Sequence, residues 1–383
     1  MKKAKLMLCV GTRADAIKMC PLYLALTRCG WAEPILLNTA QHAQLCADVL
    51  RSFDTSADVT LSVMRRGQTP DEVCERVCES ASAEMKKHAP AAALVHGDTA
   101  TALGCAIAAE RLGIPVAHVE AGLRTGDERD PFPEEIYRKR ISKIAALHLA
   151  PTSAARENLL REGVDEGNIY LVGNTVTDAV DLALTMREKA DREIMQMVCE
   201  HRTVLFTMHR RESLEERDGE CAATRIFRAI DRLLGENPDM HVLFPIHKNE
   251  RVRDLFAQAN IQSPRLHVCE PLDYPTLIYT LCHSVFIMTD SGGLCEEAAY
   301  LGAPALILRE HTERGESIDA GCAILTTTDE ERIAAIATRL WRDDAERAAL
   351  SHSTASYGTG GVSEKITAVL RNRLKNSALQ SEI

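Results

Sequence analysis

Short apolar segments that alternate with helical patterns constrain the fold of this chain more than any other feature. Because helices join the strands of a parallel sheet, this alternation is typical of a doubly wound α/β domain. Helical patterns over residues 71–87 and 100–112 separate some of the segments. The apolar segments in the first part of the chain are residues 4–10, 34–37, 91–95, 115–119 and 146–149. The sequence therefore predicts a first Rossmann-like domain.

The same alternation returns in the second half, after a long polar stretch at 176–200 that we interpret as helical. The apolar segments there are residues 204–207, 241–246, 285–289 and 305–308. A chain of 383 residues is too long for one ordinary core, which also favours two domains. Glycines at 358–361 interrupt the chain before a last amphipathic helix. We expect domains at 1–175 and 176–361, with 362–383 as C-terminal helix and tail.

The composition excludes several classes of function. The chain is 45% hydrophobic and 26% charged, as soluble globular proteins are. Its formal net charge of −10 argues against nucleic acid or an anionic membrane as a partner. The first apolar run, residues 6–10, is shorter than a signal-peptide core or a membrane span, so we expect a cytoplasmic protein.

The cysteine, histidine and glycine patterns predict no disulfide framework, no catalytic metal and no redox cofactor. The 13 cysteines are scattered, and we expect them to be reduced and mostly buried. The 13 histidines show no metal-ligand spacing. The loop at residues 11–18 contains one glycine where a dinucleotide-binding loop has three.

Three acidic residues follow consecutive segments of the first domain. Asp98, Glu120 and Glu134 all lie near the predicted carboxyl ends of strands. Because α/β sheets bind ligands at that edge, we expect the three carboxylates to meet in one crevice. Asp98 could instead cap the next helix, and Glu134 could lie in the first turn of another. Glu120 has no such structural explanation.

Arg13 and Lys18 are two cations of the loop and helix that follow the first strand. They could hold a phosphate or a carboxylate at the edge of the crevice. They could equally be solvated residues of an ordinary strand-to-helix turn.

A second candidate site is the segment Thr289-Asp290-Ser291-Gly292-Gly293, which follows an apolar strand and begins a helix. The glycines allow close approach of the backbone to an anion, the helix N-terminus offers N–H groups, and Ser291 can donate a hydrogen bond. Glu296 or Glu297, one turn later, could bind ribose hydroxyls. Alternatively, Asp290 or Ser291 caps the helix in a tight turn.

More basic residues follow predicted strands of the second domain. His209 and Arg210 come directly after its first strand, and we expect an anion-binding or acid–base role for them. His247 follows the next strand and gives a weaker signal. Arg314 follows a later strand and adds one more candidate cation.

Eight motifs, taken in order, resemble those of the non-hydrolysing UDP-N-acetylglucosamine 2-epimerases. They are GTRADAIKM, HGDTATAL, HVEAGLRTGD, PFPEE, GNTVTDA, HRRES, TDSGGLCEEAAYLGAP and TERGE. The resemblance extends from Lys5 to about Arg371. It implies two Rossmann-like doubly wound domains in a glycosyltransferase-B arrangement with an interdomain active-site cleft. It also implies a last helix that returns to the N-terminal domain, and a homodimer.

The resemblance implies interconversion of UDP-N-acetylglucosamine and UDP-N-acetylmannosamine without a cofactor. The route would be anti elimination of UDP to 2-acetamidoglucal, followed by re-addition. It implies catalytic roles for Asp98, Glu120, Glu134 and His209. It implies that UDP is held by Arg13, Lys18, Arg210, Ser291, Gly292, Gly293, Glu297 and Arg314. Which carboxylate is the base and which is the acid is left open.

The resemblance extends to a second, regulatory UDP-N-acetylglucosamine site. Its usual elements are matched by Gln41, His42, Gln44 and His247. Gly67, by contrast, stands where some family members carry an arginine. The first loop also departs from the family, because Ala14-Asp15 replaces the usual Pro-Glu.

Three other functions are compatible with these residues. An epimerase of a related UDP-diacetamido-uronic acid would share the motifs. A glycosyltransferase of the same architecture would need an acceptor pocket but not three acids at the sugar. A non-catalytic nucleotide-sugar sensor would use the carboxylates only as hydrogen-bond acceptors.

Overall fold

The computed structural model describes residues 3–65, 67–128, 132–217, 219–312 and 315–380, apart from the side chains at 211, 217 and 376–380. The chain forms two compact units, which we describe separately. The first unit contains Met1–Leu182 and Tyr357–Ile383, and the second contains Ala183–Ser356. The break therefore falls after Leu182, later than the boundary expected at 175.

Seven parallel strands form the sheet of the first unit, counted over the residues that the structure describes. They are Ala4–Val10 (β1), Ala32–Asn38 (β2), Val59–Thr60 (β3), Ala92–His96 (β4), Val116–Val119 (β5), Leu147–Ala150 (β6) and Ile169–Leu171 (β7). Their spatial order is β3-β2-β1-β4-β5-β6-β7. The order reverses between β1 and β4, and such a switch point is where doubly wound sheets bind ligands.

Each strand of this unit is followed along the chain by a helix. They are Arg13–Arg28 (α1), Ala43–Ser52 (α2), Pro70–His88 (α3), Ala100–Arg111 (α4), Glu134–Ile144 (α5), Ser153–Arg161 (α6) and Val176–Thr185 (α7). Since helices cover the sheet, β1 is apolar without alternation, and Leu6, Met7 and Leu8 are fully buried.

Six parallel strands form the larger sheet of the second unit, again over the described part of the chain. The helix Arg192–Glu200 (α8) precedes Thr203–Thr207 (β8), and Arg211–Leu214 (α9) precedes the antiparallel pair Glu216–Arg217 (β9) and Glu220–Cys221 (β10). The other strands are His241–Pro245 (β11), Leu266–Cys269 (β12), Ile287–Thr289 (β13), Ala305–Ile307 (β14) and Ala323–Leu325 (β15). The sheet order is β12-β11-β8-β13-β14-β15.

The second unit contains further helices. They are Ala222–Glu236 (α10), Glu250–Ala259 (α11), Tyr274–His283 (α12), Gly292–Leu301 (α13), Gly315–Asp319 (α14), Glu330–Arg342 (α15) and Asp344–Leu350 (α16). Phe206 on β8 packs against Phe244 on β11 with ring centroids 4.6 Å apart, and Phe227 of α10 contacts both rings. These aromatic contacts lie at the centre of the core of the second unit.

The last helix, Val362–Gln380 (α17), belongs to the first unit. Asp178 of α7 accepts hydrogen bonds from the amides of Val362 (3.1 Å) and Ser363 (2.6 Å). A carboxylate at a helix N-terminus satisfies amides that have no partner within the helix. The start of α17 is thereby fixed to α7.

The long helix predicted at 176–200 is wrong. The structure has α7 and α8 there, separated by a single 3-10 turn at Arg187–Lys189. Asp191 ends the interruption, because its side chain accepts hydrogen bonds from the amides of Glu193 (2.9 Å) and Ile194 (3.1 Å) and so starts a new helix. None of the described helices is long and apolar enough to cross a membrane.

Candidate active site

The loop after β1 is held by a capping box at the start of α1. Thr12 accepts a hydrogen bond from the amide of Asp15 (3.2 Å), and Asp15 Oδ2 accepts from the amides of Thr12 (3.1 Å) and Gly11 (3.2 Å). Gly11 is required here by space, since a Cβ would lie 2.1 Å from the hydroxyl oxygen of Thr101. The Asp15 that departs from the family pattern thus fixes the loop.

Glu120, just after β5, is enclosed by polar side chains from three other segments. Its Oε2 forms an ion pair with Lys18 and accepts a hydrogen bond from Asn174 Nδ2 (3.0 Å). His96 Nε2 lies 3.6 Å from the same oxygen. The side chains of Lys18 and Glu120 are only 6% and 7% exposed, so this pair is shielded from solvent.

The backbone of Glu120 is in the left-handed region, with φ of 63°. Glutamate seldom adopts this conformation because its Cβ crowds the backbone, and strain of about 1 to 3 kcal/mol is typical. The neighbouring contacts of Glu120 offset that strain. Non-glycine residues held in this way occur preferentially at functional sites.

His96, the last residue of β4, lies between two carboxylates. Its Nδ1 is 3.2 Å from Asp15 Oδ1, and its Nε2 faces Glu120. Burial lowers the pKa of His96, but the charge of Glu120 and the hydrogen bond with Asp15 outweigh burial and raise the pKa to about 9. The imidazole is therefore protonated at neutral pH.

Asp98 follows β4 and pairs with an arginine of α5. Arg138 Nη2 is 2.5 Å from Asp98 Oδ2, and Arg138 Nη1 is 3.1 Å from Glu135 Oε2. Glu135 also accepts a hydrogen bond from the amide of Thr125 (3.2 Å) and is fully buried. Arg138 thus joins the loop after β4 to the start of α5.

The sequence allows a purely structural role for Asp98 and for Glu134, and the structure supports it only for Glu134. Asp98 does not cap α4, because the N-cap is Thr99, which accepts from the amide of Ala102 (3.1 Å). Glu134 is the first residue of α5, as the helical alternative predicted, and it is half-buried. A carboxylate in a first turn is stabilised by the helix dipole.

Arg13 and Lys18 have different surroundings although both lie on α1. Lys18 is 5% exposed and contacts Glu120, so it is not the solvated residue of the alternative interpretation. Arg13 is the first residue of α1 and is half-buried. Their binding to UDP stays a prediction.

In the second unit, Asp290 after β13 organises the loop after β8. Its carboxylate accepts hydrogen bonds from the amides of His209 (3.1 Å) and Arg210 (2.9 Å) and from the hydroxyl of Ser213 (3.2 Å). Asp290 is fully buried. It therefore joins the strand ends of β8 and β13 and is not the N-cap of α13, a role that Ser291 takes.

The turn that begins α13 contains Ser291 followed by two glycines. Ser291 accepts a hydrogen bond from the amide of Leu294 (3.4 Å). A Cβ at Gly293 would meet nothing within 4 Å, so the fold itself does not require glycine there. Glu296 and Glu297 are buried, at 0% and 4% exposure. The N-terminus of α13 suits a phosphate.

The positions of the His209 and Arg210 side chains result from the hydrogen bonds between their backbone amides and Asp290. His209 is 41% exposed, and its Nδ1 lies 3.4 Å from Asp290 Oδ1. Arg210 Nε donates to the carbonyl oxygen of Asp290 (3.1 Å). The His209 ring stacks on that of His247, with centroids 5.7 Å apart. Arg314 lies outside the described residues.

Of the residues expected at a regulatory site, Gln41, His42 and Gln44 lie at the start of α2, whereas His247 follows β11 in the second unit. Gln41 Oε1 accepts from the amide (3.2 Å) and hydroxyl (2.9 Å) of Thr101, and Gln44 Nε2 donates to Asp48 (2.8 Å). Burial lowers the pKa of His42, which is at the N-cap of α2. Their regulatory role stays a prediction.

Three residues that lie beside Glu120 or Asp98 have no role predicted from the sequence. They are His96, Arg138 and Asn174. His96 and Asn174 belong to the motifs HGDTATAL and GNTVTDA, so the sequence does mark their positions. Of these two motifs, however, only Asp98 has a catalytic role predicted for it. Arg138 lies on α5 beyond any motif, and its pairing is visible only in three dimensions.

The other described polar groups do not suggest a metal or disulfide site. All 13 cysteines are free, and no group of three or more histidine, cysteine, aspartate or glutamate side chains among the described residues could hold a metal ion. His118 and His148 are core residues whose burial lowers their pKa to about 3 and about 4. Both are neutral at physiological pH.

The two units thus belong to the class of doubly wound α/β proteins, with polar clusters at the carboxyl ends of the strands. A family model described as UDP-N-acetylglucosamine 2-epimerase matches residues 24–371. A Bacillus subtilis protein of that name is 40% identical over 366 residues, which are 96% of this chain and 94% of the relative. The chain belongs to the UDP-N-acetylglucosamine 2-epimerase family.

Solved structures agree with this assignment. The S. aureus MnaA–UDP structure is 34% identical with a TM-score of 0.91, and 97% of each chain is covered. The Neisseria meningitidis UDP-GlcNAc 2-epimerase, solved with UDP-GlcNAc bound, is 32% identical with a TM-score of 0.90; the match covers 96% of this chain and 100% of that one.

Proposed function

We propose that this chain interconverts UDP-N-acetylglucosamine and UDP-N-acetylmannosamine by inverting C2 of the sugar. The observation that carries the proposal is the presence of two ion pairs at the ends of the neighbouring strands β4 and β5, Asp98 with Arg138 and Glu120 with Lys18. Glu120 has a left-handed backbone and a side chain that is 7% exposed, and residues held in this way cluster at active sites and ligand clamps. Family membership and the ligands of the related structures support the same conclusion.

The chemistry of the sugar limits the route. The proton on C2 is not adjacent to a carbonyl, so its removal needs either prior oxidation of the sugar or simultaneous loss of a leaving group. In the proposed route a carboxylate takes the C2 proton while the C1–O bond breaks and its electron pair leaves with UDP. The C1–C2 double bond of 2-acetamidoglucal results. The UDP oxygen then attacks C1, and a proton reaches C2 from the opposite face.

We assign the proton transfers to Asp98, Glu120 and Glu134 of the first unit, with His209 as a further acid–base group. General acid–base catalysis by positioned side chains contributes about 10² to 10⁴ in rate. Two carboxylates on opposite faces of C2 would exchange roles when the reaction runs in reverse. The ion pair of Glu120 with buried Lys18 favours an ionised carboxylate, which suits a base.

We assign binding of UDP to the glycine-rich turn of the second unit and to the cations. The N-terminus of α13 would bind the diphosphate through Ser291, Gly292 and Gly293. The diphosphate would also be held by Arg13, Lys18, Arg210 and Arg314. Glu297 is the proposed partner of the ribose hydroxyls. These cations would stabilise the negative charge that UDP gains as it leaves.

Incubation with UDP-N-acetylglucosamine in heavy water tests the proposal. The sugar should acquire deuterium at C2 and appear as two epimers, as measured by NMR and mass spectrometry. The matched control is Glu120→Gln, which should show neither. A nucleotide-sugar sensor would incorporate no deuterium, and a glycosyltransferase would show no C2 inversion without an acceptor. Faster turnover of a UDP-diacetamido-uronic acid would reassign the substrate.

We also propose regulation by UDP-N-acetylglucosamine at a second site that includes Gln41, His42, Gln44 and His247. The support is the match of these residues to the family pattern. A reaction started from UDP-N-acetylmannosamine alone should then show a lag that added UDP-N-acetylglucosamine removes. A linear progress curve would contradict this regulation.

A homodimer in the cytoplasm is the further expectation, and sedimentation tests the oligomeric state.

A further inference from the structure

His96 is a buried, charged group to which the proposed reaction assigns no role. It is 4% exposed at the carboxyl end of β4. Both ring nitrogens face carboxylates, with Nδ1 3.2 Å from Asp15 Oδ1 and Nε2 3.6 Å from Glu120 Oε2. Lys18 also lies at this point, and it pairs with the same oxygen of Glu120. An imidazolium between two acids can satisfy both.

Two other histidines of the same sheet show that burial alone does not produce this state. His118 Nε2 contacts the carbonyl oxygen of Gly97 (2.8 Å), and His148 lies beside His118 on the adjacent strand. Neither is held by a carboxylate in this way, and burial lowers the pKa of each below its usual value. His96 differs because carboxylates flank it on both sides.

A continuous set of contacts connects His96 to the backbone of the first loop. Asp15 is fixed by the amides of Gly11 and Thr12 and by the hydroxyl of Thr99 (3.4 Å). Asp15 in turn fixes one edge of the imidazole, whose other edge faces Glu120. The position of the Glu120 carboxylate thus depends on a rigid loop at the far side of His96.

We propose that His96 is a positioning residue that, as an imidazolium between Asp15 and Glu120, holds the Glu120 carboxylate in place and in its ionised form for proton transfer at C2. This inference rests on the proposed function of Glu120. The left-handed backbone of Glu120 makes such support necessary, because the strained conformation must be held by its surroundings.

His96→Asn tests the proposal, with His148→Asn as the matched loss of a buried imidazole. Asparagine at 96 can still hydrogen-bond Asp15 but carries no charge. We expect kcat to fall about 100-fold with KM for UDP-N-acetylglucosamine changed less than about threefold, as for a misplaced reacting group. The acidic limb of the kcat/KM profile should move to higher pH, because one cation that stabilises the ionised carboxylate has gone. Folded His148→Asn should retain the wild-type kcat and profile.

Asp15→Asn provides a second test that does not depend on the folding of His96→Asn. Asparagine keeps an acceptor for the amides of Gly11 and Thr12 but removes the charge beside His96. The imidazolium should then lose its proton at lower pH, so the alkaline limb of the profile should move to lower pH. Unchanged pH limbs in a folded Asp15→Asn protein, or a wild-type kcat in His96→Asn, would overturn the proposal.

Deuterium exchange by the wild-type protein distinguishes failure of the positioning role from failure of the proposed epimerisation. Deuterium exchange at C2 by the wild type, together with a normal His96→Asn variant, would overturn the positioning role alone. Absence of exchange in the wild type would overturn the proposed epimerisation and the positioning role with it.

Discussion

The carboxyl edges of the two sheets have the same topology but use different groups. In the first unit, the edge consists of charged side chains paired with one another, such as Lys18 with Glu120 and Asp98 with Arg138. In the second unit, the buried carboxylate of Asp290 binds backbone amides, and it leaves His209 partly exposed. The first arrangement suits proton transfer, whereas the second presents a shaped loop and a helix N-terminus to an anion.

This difference shows that the fold places a site but does not determine its chemistry. Both sheets offer strand ends and helix N-termini at the same edge. The identity of the residue just after the strand decides the outcome, since it is Glu120 after β5 and Asp290 after β13. We therefore expect changes at Asp98 and Glu120 to affect kcat and changes at Asp290 and Gly293 to affect nucleotide binding.

The largest expected effect is on turnover by Asp98→Asn. We expect kcat to fall about 10³-fold, because a proton-transfer group is lost, while binding of UDP remains measurable by calorimetry. Glu162→Gln is the control, since it also breaks a carboxylate–arginine pair in the first unit, with Arg124 at 2.7 Å. Normal turnover by Asp98→Asn would discredit the assignment.

Arg13→Ala tests an exception to the comparison, because Arg13 lies in the first unit but is predicted to hold UDP. Loss of a cation from a diphosphate clamp should weaken UDP binding by about 2 kcal/mol or more, about 30-fold in Kd. Arg28→Ala, at the exposed end of the same helix, should leave the Kd unchanged. Equal Kd values for the two variants would remove Arg13 from the site.

Asp290→Asn should destabilise the second unit and weaken UDP binding together. An amide group would face donors from His209, Arg210 and Ser213, which should lower the free energy of unfolding by about 1 to 3 kcal/mol. Asp329→Asn is the control, because asparagine and aspartate cap helices equally well. Denaturant unfolding and calorimetry measure the two effects, and a stable variant with weak binding would contradict the structural role.

Acid should destabilise the first unit through its neutral core histidines. Their pKa is below the unfolded value of 6.5, so the unfolded chain binds more protons and stability falls as pH drops from 6.5 toward about 4. We expect about 1 to 2 kcal/mol from His148 between pH 7.5 and 5. His148→Asn should reduce the difference in unfolding free energy between these two pH values; an unchanged difference would contradict the assignment. The raised pKa of His96 has the opposite effect on stability. The stabilisation that His96 contributes is present below pH 6.5 and is lost as the pH rises through about 9.

The smallest expected effect on stability is that of Gly293→Ala. The site has space for a methyl group in a helical position. The free energy of unfolding should therefore stay unchanged or rise by up to about 1 kcal/mol. Binding of UDP should nevertheless weaken, because the methyl group would obstruct the approach of a phosphate. Gly11→Ala is the opposite case, and the clash with Thr101 should destabilise the protein by about 1 to 3 kcal/mol. Unchanged binding by Gly293→Ala would remove this turn from the site.

The alternation of apolar segments predicted the central strands well and the edges of the sheets poorly. Residues 4–10 are β1 as predicted, and residues 115–119 contain β5. The strands β3, β7, β12 and β15 at the sheet edges were missed, because two to four residues that are only partly buried give little periodicity. The same limitation does not affect strands that are covered on both faces.

The candidate site was predicted by residue type but not by pairing. Asp98, Glu120 and Asp290 all lie beside strand ends, and this placement can be predicted from the sequence. The partner of Glu120 was not, since Lys18 is 102 residues away and was interpreted as a ligand for phosphate. Only tertiary structure shows that this lysine is buried against the acid.

The conformation of Glu120 has a consequence for relatives that retain the fold and lose the activity. At φ of 63° a glycine or an asparagine would relieve the backbone, but it would also remove the carboxylate that faces the buried Lys18 and His96. A lineage released from turnover would therefore gain stability only by replacing all three residues together. A homologue with glycine at this position and uncharged residues in place of Lys18 and His96 would be a candidate pseudoenzyme.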